Sequence, residues 1–350
     1  MTDNTRSSTA FATWSHGVLV YGVAIGSAFL LIALIITATG YNPLQGLATL
    51  VGTSFKSRFS FWETINKFIP LLLATYAFSI PLKLKVYNIG ALGQMQVGGV
   101  IAIIAAFQLA PLPSFLLIPL ALILAMVVGG FYAGVCGWLK NRCGINPIIS
   151  TVMLNFVSHY LVLFLTTSSG YADPFSGHPM TLPIPAASVL PIIGRFPVSL
   201  LIALLIILLI YIFMKKTIVG YQIEASGFNQ TASRIYGINV PRLVVLTMFI
   251  GGAMAALSGA IQVIAVQKRL IEGFAATGGA EYGTFGVLTA LIAQGEPVAI
   301  PIAALFMSIL LVGADAMQRT LMIPVELVFL TQALMVIMIV VIRTRMEPKY

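Results

Sequence analysis

Thr151, Asn155 and His159 recur at intervals of four residues inside an otherwise apolar stretch. A helix there would line a hydroxyl, an amide and an imidazole along one stripe. Ser150 and Ser158 flank them, and Phe156 and Tyr160 lie beside the stripe. The set suits hydrogen bonding to a small polar solute, with Asn155 presenting an amide and Phe156 a stacking face. For His159 alone, a structural hydrogen bond stands beside solute contact as a reading. A second set runs through Asn88-Ile89-Gly90-Ala91-Leu92-Gly93-Gln94 and on to Gln96, Gly98 and Gly99. Unpaired amides are costly in hydrocarbon, so Asn88, Gln94 and Gln96 either pair across close-packed helices or line a polar path at a broken helix. Gln262, in another apolar run, is a further candidate for hydrogen bonding to such a solute.

A third set occupies residues 215–242, a polar and basic island between two apolar runs, and would work in water against another protein. Gly220, Gly227 and Gly237 punctuate it. Residues 229–236 read as a short helix with Gln230 and Arg234 one turn apart, which makes a small rigid docking element.

The elements that carry these sets are membrane helices. Of 350 residues, 59% are hydrophobic and only 8% charged, with a mean hydropathy of +1.00. Soluble domains carry about a quarter charged residues. Lipid cannot satisfy a bare backbone group, so only helices or closed barrels cross it. Residues 198–214 and 324–342 are nearly continuous apolar runs without the alternation a barrel strand needs, which leaves an all-α integral membrane protein. About ten transmembrane helices are expected, over 18–39, 68–86, 88–108, 115–138, 146–168, 198–214, 243–266, 282–294, 297–316 and 324–342. The eighth is short enough for a half-helix. It opens on a second glycine-rich run, Gly278-Gly279-Ala280-Glu281-Tyr282-Gly283-Thr284-Phe285-Gly286, facing the opposite way to the Asn88 element. Such a pair fits an inverted repeat with discontinuous helices. Glu281 reads as a solvated loop residue or as a charge at a cavity mouth. Asp315 and Arg319 have the spacing of an i, i+4 ion pair.

The positive-inside rule places both termini in the cytoplasm, with twelve basic residues inside and seven outside. Residues 1–17 form a cytoplasmic tail too polar for a cleaved signal peptide, and the first apolar run serves as a retained anchor. Residues 18–342 form one transmembrane domain, with the 215–242 island in the cytoplasm and the proline-rich 169–197 stretch as an extracytoplasmic loop. Residues 343–350 form a cytoplasmic tail. The net charge of +9 follows from this topology and from anionic lipid, and does not call for nucleic acid. Cys136 and Cys143 match no zinc or redox spacing and read as packing thiols, and three dispersed histidines suggest no metal cluster. No phosphate-loop motif is present, so this chain does not hydrolyse ATP by that route. The longest loops are too short to bury a core of their own.

Three blocks in this order resemble the permease subunits of ATP-binding-cassette importers, in the branch for nucleosides, simple sugars and branched-chain amino acids. Asn88 to Gln94 is similar to N-I-G-x-E-G-Q. Ile149-Ser150-Thr151-Val152-Met153-Leu154-Asn155-Phe156 is similar to the I-x-T-x-M-L-N-Y block of the nucleoside branch. Thr217 to Gly220, Ala225 to Asn229, Ala232, and Tyr236 to Ile238 are similar to the coupling segment T-x-x-G … A-x-G-x-N-x-x-A-A-R-Y-A-G-I. Leu92, Pro147 and Ser233 depart from it, standing where Glu, Glu and Ala are usual.

The resemblance implies an importer at the bacterial cytoplasmic (inner) membrane. An extracytoplasmic substrate-binding protein would deliver the solute, this chain and a second permease subunit would form the path, and cytoplasmic ABC ATPase subunits would drive it. ATP is then used by the partner and no cofactor is bound by this chain. Asn88, Gln94, Gln96, Asn155, Phe156, His159 and Gln262 are the path candidates. Gly220, Glu224, Ala225, Gly227, Asn229, Ala232, Arg234 and Gly237 are the coupling candidates. Within these, Gly227 and Gly237 set turns, Asn229 caps the short helix, and Glu224 and Arg234 meet the ATPase. A nucleoside is the expected solute, a simple sugar the next. The alternative of another class, an ion-coupled secondary transporter, would need a membrane-embedded acid, and acids are scarce in the spans.

Overall fold

The computed structural model describes residues 22–23, 26–38, 40–193, 196–277, 280–324, 327, 330, 333–334, 336–338 and 340–341. The expected tails 1–17 and 343–350, parts of the first and tenth expected spans, and Arg195, Gly278 and Gly279 lie outside them. Its helices are α1 (Gly26–Ala38), α2 (Pro43–Lys56), α3 (Arg58–Leu82), α4 (Ala91–Gln108), α5 (Ser114–Cys143), α6 (Pro147–Thr167), α7 (Val198–Lys216), α8 (Ile218–Phe228), α9 (Gln230–Ile235), α10 (Val240–Ile261), α11 (Tyr282–Ile292) and α12 (Ala299–Leu321). Seven helices among the described residues are long and apolar enough to cross a membrane: α3 to α7, α10 with its extension to Gln267, and α12. The all-α membrane architecture holds, while the expected count of ten is not reached among these residues. α11, at 11 residues, is too short for a full crossing, as its sequence suggested.

The chain divides into two compact units, residues 1–64 with 309–350, and residues 65–308. In the first, Asn42 caps α2 by accepting from the Leu44 and Gln45 amides. A Cβ on Gly313 would lie 1.8 Å from the Leu50 carbonyl, so α2 and α12 touch backbone to backbone. Arg319 donates from Nε to the Asp315 carbonyl and reaches Glu63 at 3.5 Å.

In the second unit α10 is the packing centre, flanked by α5 and α4. Its inward face reads Gly251, Gly252, Ala255, Ala256, Ser258 and Gly259, all buried. Lipid gives helices no hydrophobic reason to associate, so close van der Waals approach has to supply the attraction, and small residues permit it. A Cβ on Gly98 would come within 2.0 Å of the Ala256 carbonyl, and one on Gly129 within 2.2 Å of the Ala256 Cβ. Ser258 adds a hydrogen bond to the Pro70 carbonyl at 3.0 Å. The ends are punctuated as capping chemistry requires. Asn146 caps α6 ahead of Pro147, Asn239 caps α10, and Gly144 closes α5 at φ +69°.

α10 does not stop cleanly. Residues Gln262–Gln267 continue it as a π turn, which ends at Lys268. The strand-like loop that follows is paired by the 169–197 stretch. Leu190 donates to Ile264, Ile184 to Lys268, Thr181 to Leu270, and Glu272 back to Pro179. The proline-rich stretch thus forms no long helix and acts as a brace for residues 264–272.

Gly259→Ala places a methyl 1.9 Å from the Met95 carbonyl. It should cost about 1–3 kcal/mol and lower the thermal midpoint of the protein in detergent. Gly134→Ala, whose methyl meets only Phe249 at 3.8 Å, should leave the midpoint where it is.

Candidate functional site

The amides divide sharply once placed. Asn88 and Gln94 face each other in a two-way pair, Asn88 Nδ2 to Gln94 Oε1 at 2.9 Å and Gln94 Nε2 to Asn88 Oδ1 at 2.8 Å. Asn88 Nδ2 also donates to the Ala77 carbonyl, and its Oδ1 accepts from the Gly90 amide. Both side chains are buried. Of the two readings the sequence allowed, this geometry is the pairing one: the pair locks the extended entry to α4 onto its first turn and onto α3. Gln262, buried at the start of the π turn, has an Oε1 without a partner among the described residues. It does not line the cavity described next.

That cavity, of about 420 Å³, gathers the other candidates. α6 contributes Val152, Asn155, Phe156 and His159; α4 contributes Leu92 and Gln96; the 272–281 segment contributes Glu272, Gly273, Ala275 and Glu281. Asn155 is there but already engaged: its Oδ1 accepts from the Gly93 amide at 2.9 Å and its Nδ2 donates to the Ile89 carbonyl at 3.5 Å. Gly93 allows this contact, since a Cβ there would sit 2.5 Å from Ser158 Oγ. Ser158 Oγ in turn donates to Gln96 Oε1 at 2.9 Å. His159 Nε2 lies 3.9 Å from Glu272 Oε1, and Thr284 Oγ1 donates to Glu281 Oε2 at 3.0 Å.

The two glycine-rich elements meet at this cavity. Gly283, at the start of α11, packs so closely that a Cβ would lie 2.5 Å from the Leu92 amide nitrogen. From that contact α4 leads to Gln108, which donates to Tyr171 of the 169–197 stretch. α11, about 16 Å long, leads to the turn that carries Glu296. The carboxylates of Glu272 and Glu281 are the functional candidates sequence reasoning underweighted. Glu281 carried a signal, its place in the glycine-rich run. Glu272 carried none, because it reaches the cavity through long-range pairing with Pro179.

The 215–242 island folds as α8 and α9. Asn229 caps α9 as expected, accepting from Thr231 and Ala232 at 3.0 Å. Gly237 turns at φ +82°. Gly227 does not set a turn; it sits within α8, and a Cβ there would lie 1.8 Å from the Lys83 carbonyl. Gly220 is helical too, pressed against the Phe213 and Met214 carbonyls. Gln230 Nε2 donates to the Leu84 carbonyl at 3.1 Å. Glu224 is held by Lys215 at 2.8 Å, and Lys215 reaches Glu296 at 3.3 Å, which also pairs with Lys83. Ala225 and Ala232 are half-buried, and Arg234 is exposed. Around it Tyr221, Phe228, Ile235 and Tyr236 are also exposed. Partial burial alone would raise the Glu296 carboxyl, but the Lys83 hydrogen bond and the charges of Lys83 and Lys215 hold it below the ordinary range.

A family model described as "Branched-chain amino acid transport system / permease component" matches residues 60–342. The nucleoside ABC transporter permease protein NupB of Lactococcus lactis is 30% identical over 334 residues, covering 93% of this chain and 91% of that protein. The glucose ABC transporter permease protein TsgB13 of Haloferax volcanii is 28% identical, covering 87% and 82%. The guanosine ABC transporter permease protein NupP of Bacillus subtilis is 27% identical, covering 92% and 90%.

Asn88→Leu should destabilise the protein by roughly 1–3 kcal/mol, because the Gln94 amide is left buried without its partner. Adding Gln94→Met should recover part of that loss, a non-additivity readable in a double-mutant cycle of thermal midpoints. For Glu296, whose folded pKa is depressed, the stabilisation is fully present above its ordinary value of 4.5 and is lost as pH falls through the folded value. A Glu296→Gln variant should therefore flatten the acid limb of the stability profile and leave the neutral-to-alkaline slope unchanged.

Proposed function

The chain belongs to the branched-chain amino acid transport system permease family, and from that premise we propose that it is the membrane subunit of an ATP-binding-cassette importer for a neutral, hydroxyl-rich solute. A nucleoside is the first choice and a simple sugar the second. The observation that carries the substrate class is the cavity wall: Glu272 and Glu281 line it, and no lysine or arginine is among its described lining residues. An amino acid is a zwitterion: its ammonium suits these carboxylates, but its own carboxylate finds no lysine or arginine among the described lining residues and is left beside two like charges. A nucleoside or sugar brings hydroxyl and N–H donors, and the volume lies within the range of small-molecule sites. The names of the similar permeases, for nucleoside, glucose and guanosine, point the same way.

Energy comes from outside the chain, which carries no phosphate-loop motif. ABC ATPase subunits dock on α8 and α9, where Tyr221, Phe228, Ile235 and Tyr236 offer exposed apolar anchors around Arg234. Glu224, tied to Lys215, positions α8 and leaves the direct polar contact to Arg234. No cofactor is bound by this chain. The binding protein approaches the braced 169–197 stretch, and both termini face the cytoplasm of a bacterial inner membrane. A second permease subunit packs on the outer side of α6, where Ile149, Met153 and Tyr160 are exposed. Asn88, Gln94, Asn155 and Gln262 hold the path in shape. Phe156, His159 and Gln96 face the solute.

Docking motion reaches the cavity along a short route. α8 pushes on Lys83 through Gly227, the turn after Lys83 leads into the Asn88–Gln94 pair, and that pair fixes the start of α4 with its Leu92 and Gln96. Glu296 ties the same cluster to the end of α11.

Two experiments test these readings. Proteoliposomes holding the chain with its co-purifying partners should take up a radiolabelled nucleoside or pentose only with ATP and binding protein. Uptake driven by a proton or sodium gradient without ATP would overturn the importer. Gly227→Ala, whose methyl cannot coexist with the Lys83 carbonyl, should cut uptake at least about tenfold (roughly 1.4 kcal/mol) while the assembled complex keeps its basal ATP hydrolysis.

A further inference from the structure

We infer that Glu272 selects the transported solute by accepting two vicinal hydroxyl donors, one on each carboxylate oxygen, an inference that rests on reading the cavity as the translocation site. The other polar atoms around the cavity are already engaged or offer less. Asn155, the amide most prominent in the sequence, has its oxygen on the Gly93 amide and its nitrogen on the Ile89 carbonyl. Gln96 has its oxygen on Ser158 and so presents a donor. Glu281 has one oxygen on Thr284, which leaves a single acceptor. Glu272 differs from all of these. Its side chain makes no hydrogen bond among the described residues, and its ion-pair partner, His159 Nε2, stands 3.9 Å away, beyond hydrogen-bond reach.

The Glu272 backbone is nevertheless fixed, since its amide donates to Pro179 in the braced loop. A positioned carboxylate with both oxygens open matches a pair of donors side by side, as a vicinal diol supplies, and charge-assisted bonds of that kind are roughly twice as strong as neutral ones. Phe156 on α6 gives the same cavity an aromatic face, and Gln96 gives it one donor for an acceptor on the solute. The cavity therefore reads a ribose or sugar diol at Glu272 and a ring at Phe156. It repels a phosphorylated or carboxylated analogue through Glu272 and Glu281 together.

The binding protein also discriminates among solutes, so the test compares turnover at saturating loaded binding protein. Wild-type complex in proteoliposomes should move inosine at least about tenfold faster than 2′,3′-dideoxyinosine, and ribose faster than 2-deoxyribose; these arms separate a nucleoside from a free pentose as the source of the diol. Glu272→Gln should bring the inosine-to-dideoxyinosine ratio to about one to three, and Glu272→Asp should keep most of it. KM for loaded binding protein should be the same in all three. Equal rates for the two inosines in wild type overturn the inference without any variant, and so does an undiminished ratio in Glu272→Gln. ATP-dependent uptake of no neutral solute by wild type overturns the substrate reading and this inference together.

Discussion

The contact between Gly283 and the backbone of Leu92 is the constraint on which the rest of the site depends. Two helices that begin at one point and run apart leave their first-turn amides without intrahelical partners, and hydrocarbon supplies none. Such a junction survives only where other protein groups close it. Here Asn155 accepts from the Gly93 amide, the Asn88–Gln94 pair secures the approach to α4, and Glu281 stands at the start of α11 with its charge toward that helix's positive end. The glycines follow from the same demand, because a side chain at Gly90, Gly93 or Gly283 would push apart the elements whose polar groups must meet. The cavity is the space left over once those groups are matched.

The same junction links the cavity to the α8 and α9 surface. α11 is a rigid rod of three turns with Glu281 at one end, and beyond its other end the turn carries Glu296. Glu296 sits in a ladder with Lys83 and Lys215, and Lys215 holds Glu224 of α8. These groups are partly exposed, so the ladder's worth lies in alignment more than in stability. Packed backbone contacts, as between Gly227 and Lys83, transmit displacement because they cannot be compressed, and the ion pairs keep the rods in register.

The fold was legible wherever one physical rule dominated. Hydropathy located the spans over α4, α5, α6, α7, α10 and α12. It places the start of α3 ten residues late, at 68 rather than Arg58, because Arg58, Glu63 and Lys67 make the first turns polar and a helix can begin before its sequence turns apolar. The amides stand out in the sequence, but sequence cannot say whether an amide has a partner, since the partner of Asn155 is a backbone group 62 residues away. The role of Gly227 was misread for a related reason. A glycine in a helix looks like a turn until the neighbouring chain, here the Lys83 carbonyl, is in place.

The resemblance places an acid where this chain has Leu92, and Leu92 lines the cavity. Read along the sequence, that substitution removes a charge from the path. In space the cavity is acidic all the same, because Glu272 and Glu281 arrive from a segment nearly two hundred residues further on. An apolar Leu92 beside them is then consistent: a third carboxylate would raise the repulsion among the acids without adding a cation to balance it. Charge in such a cavity is thus a property of the space the fold encloses, and a motif that fixes where one acid should stand does not fix how acidic the space will be.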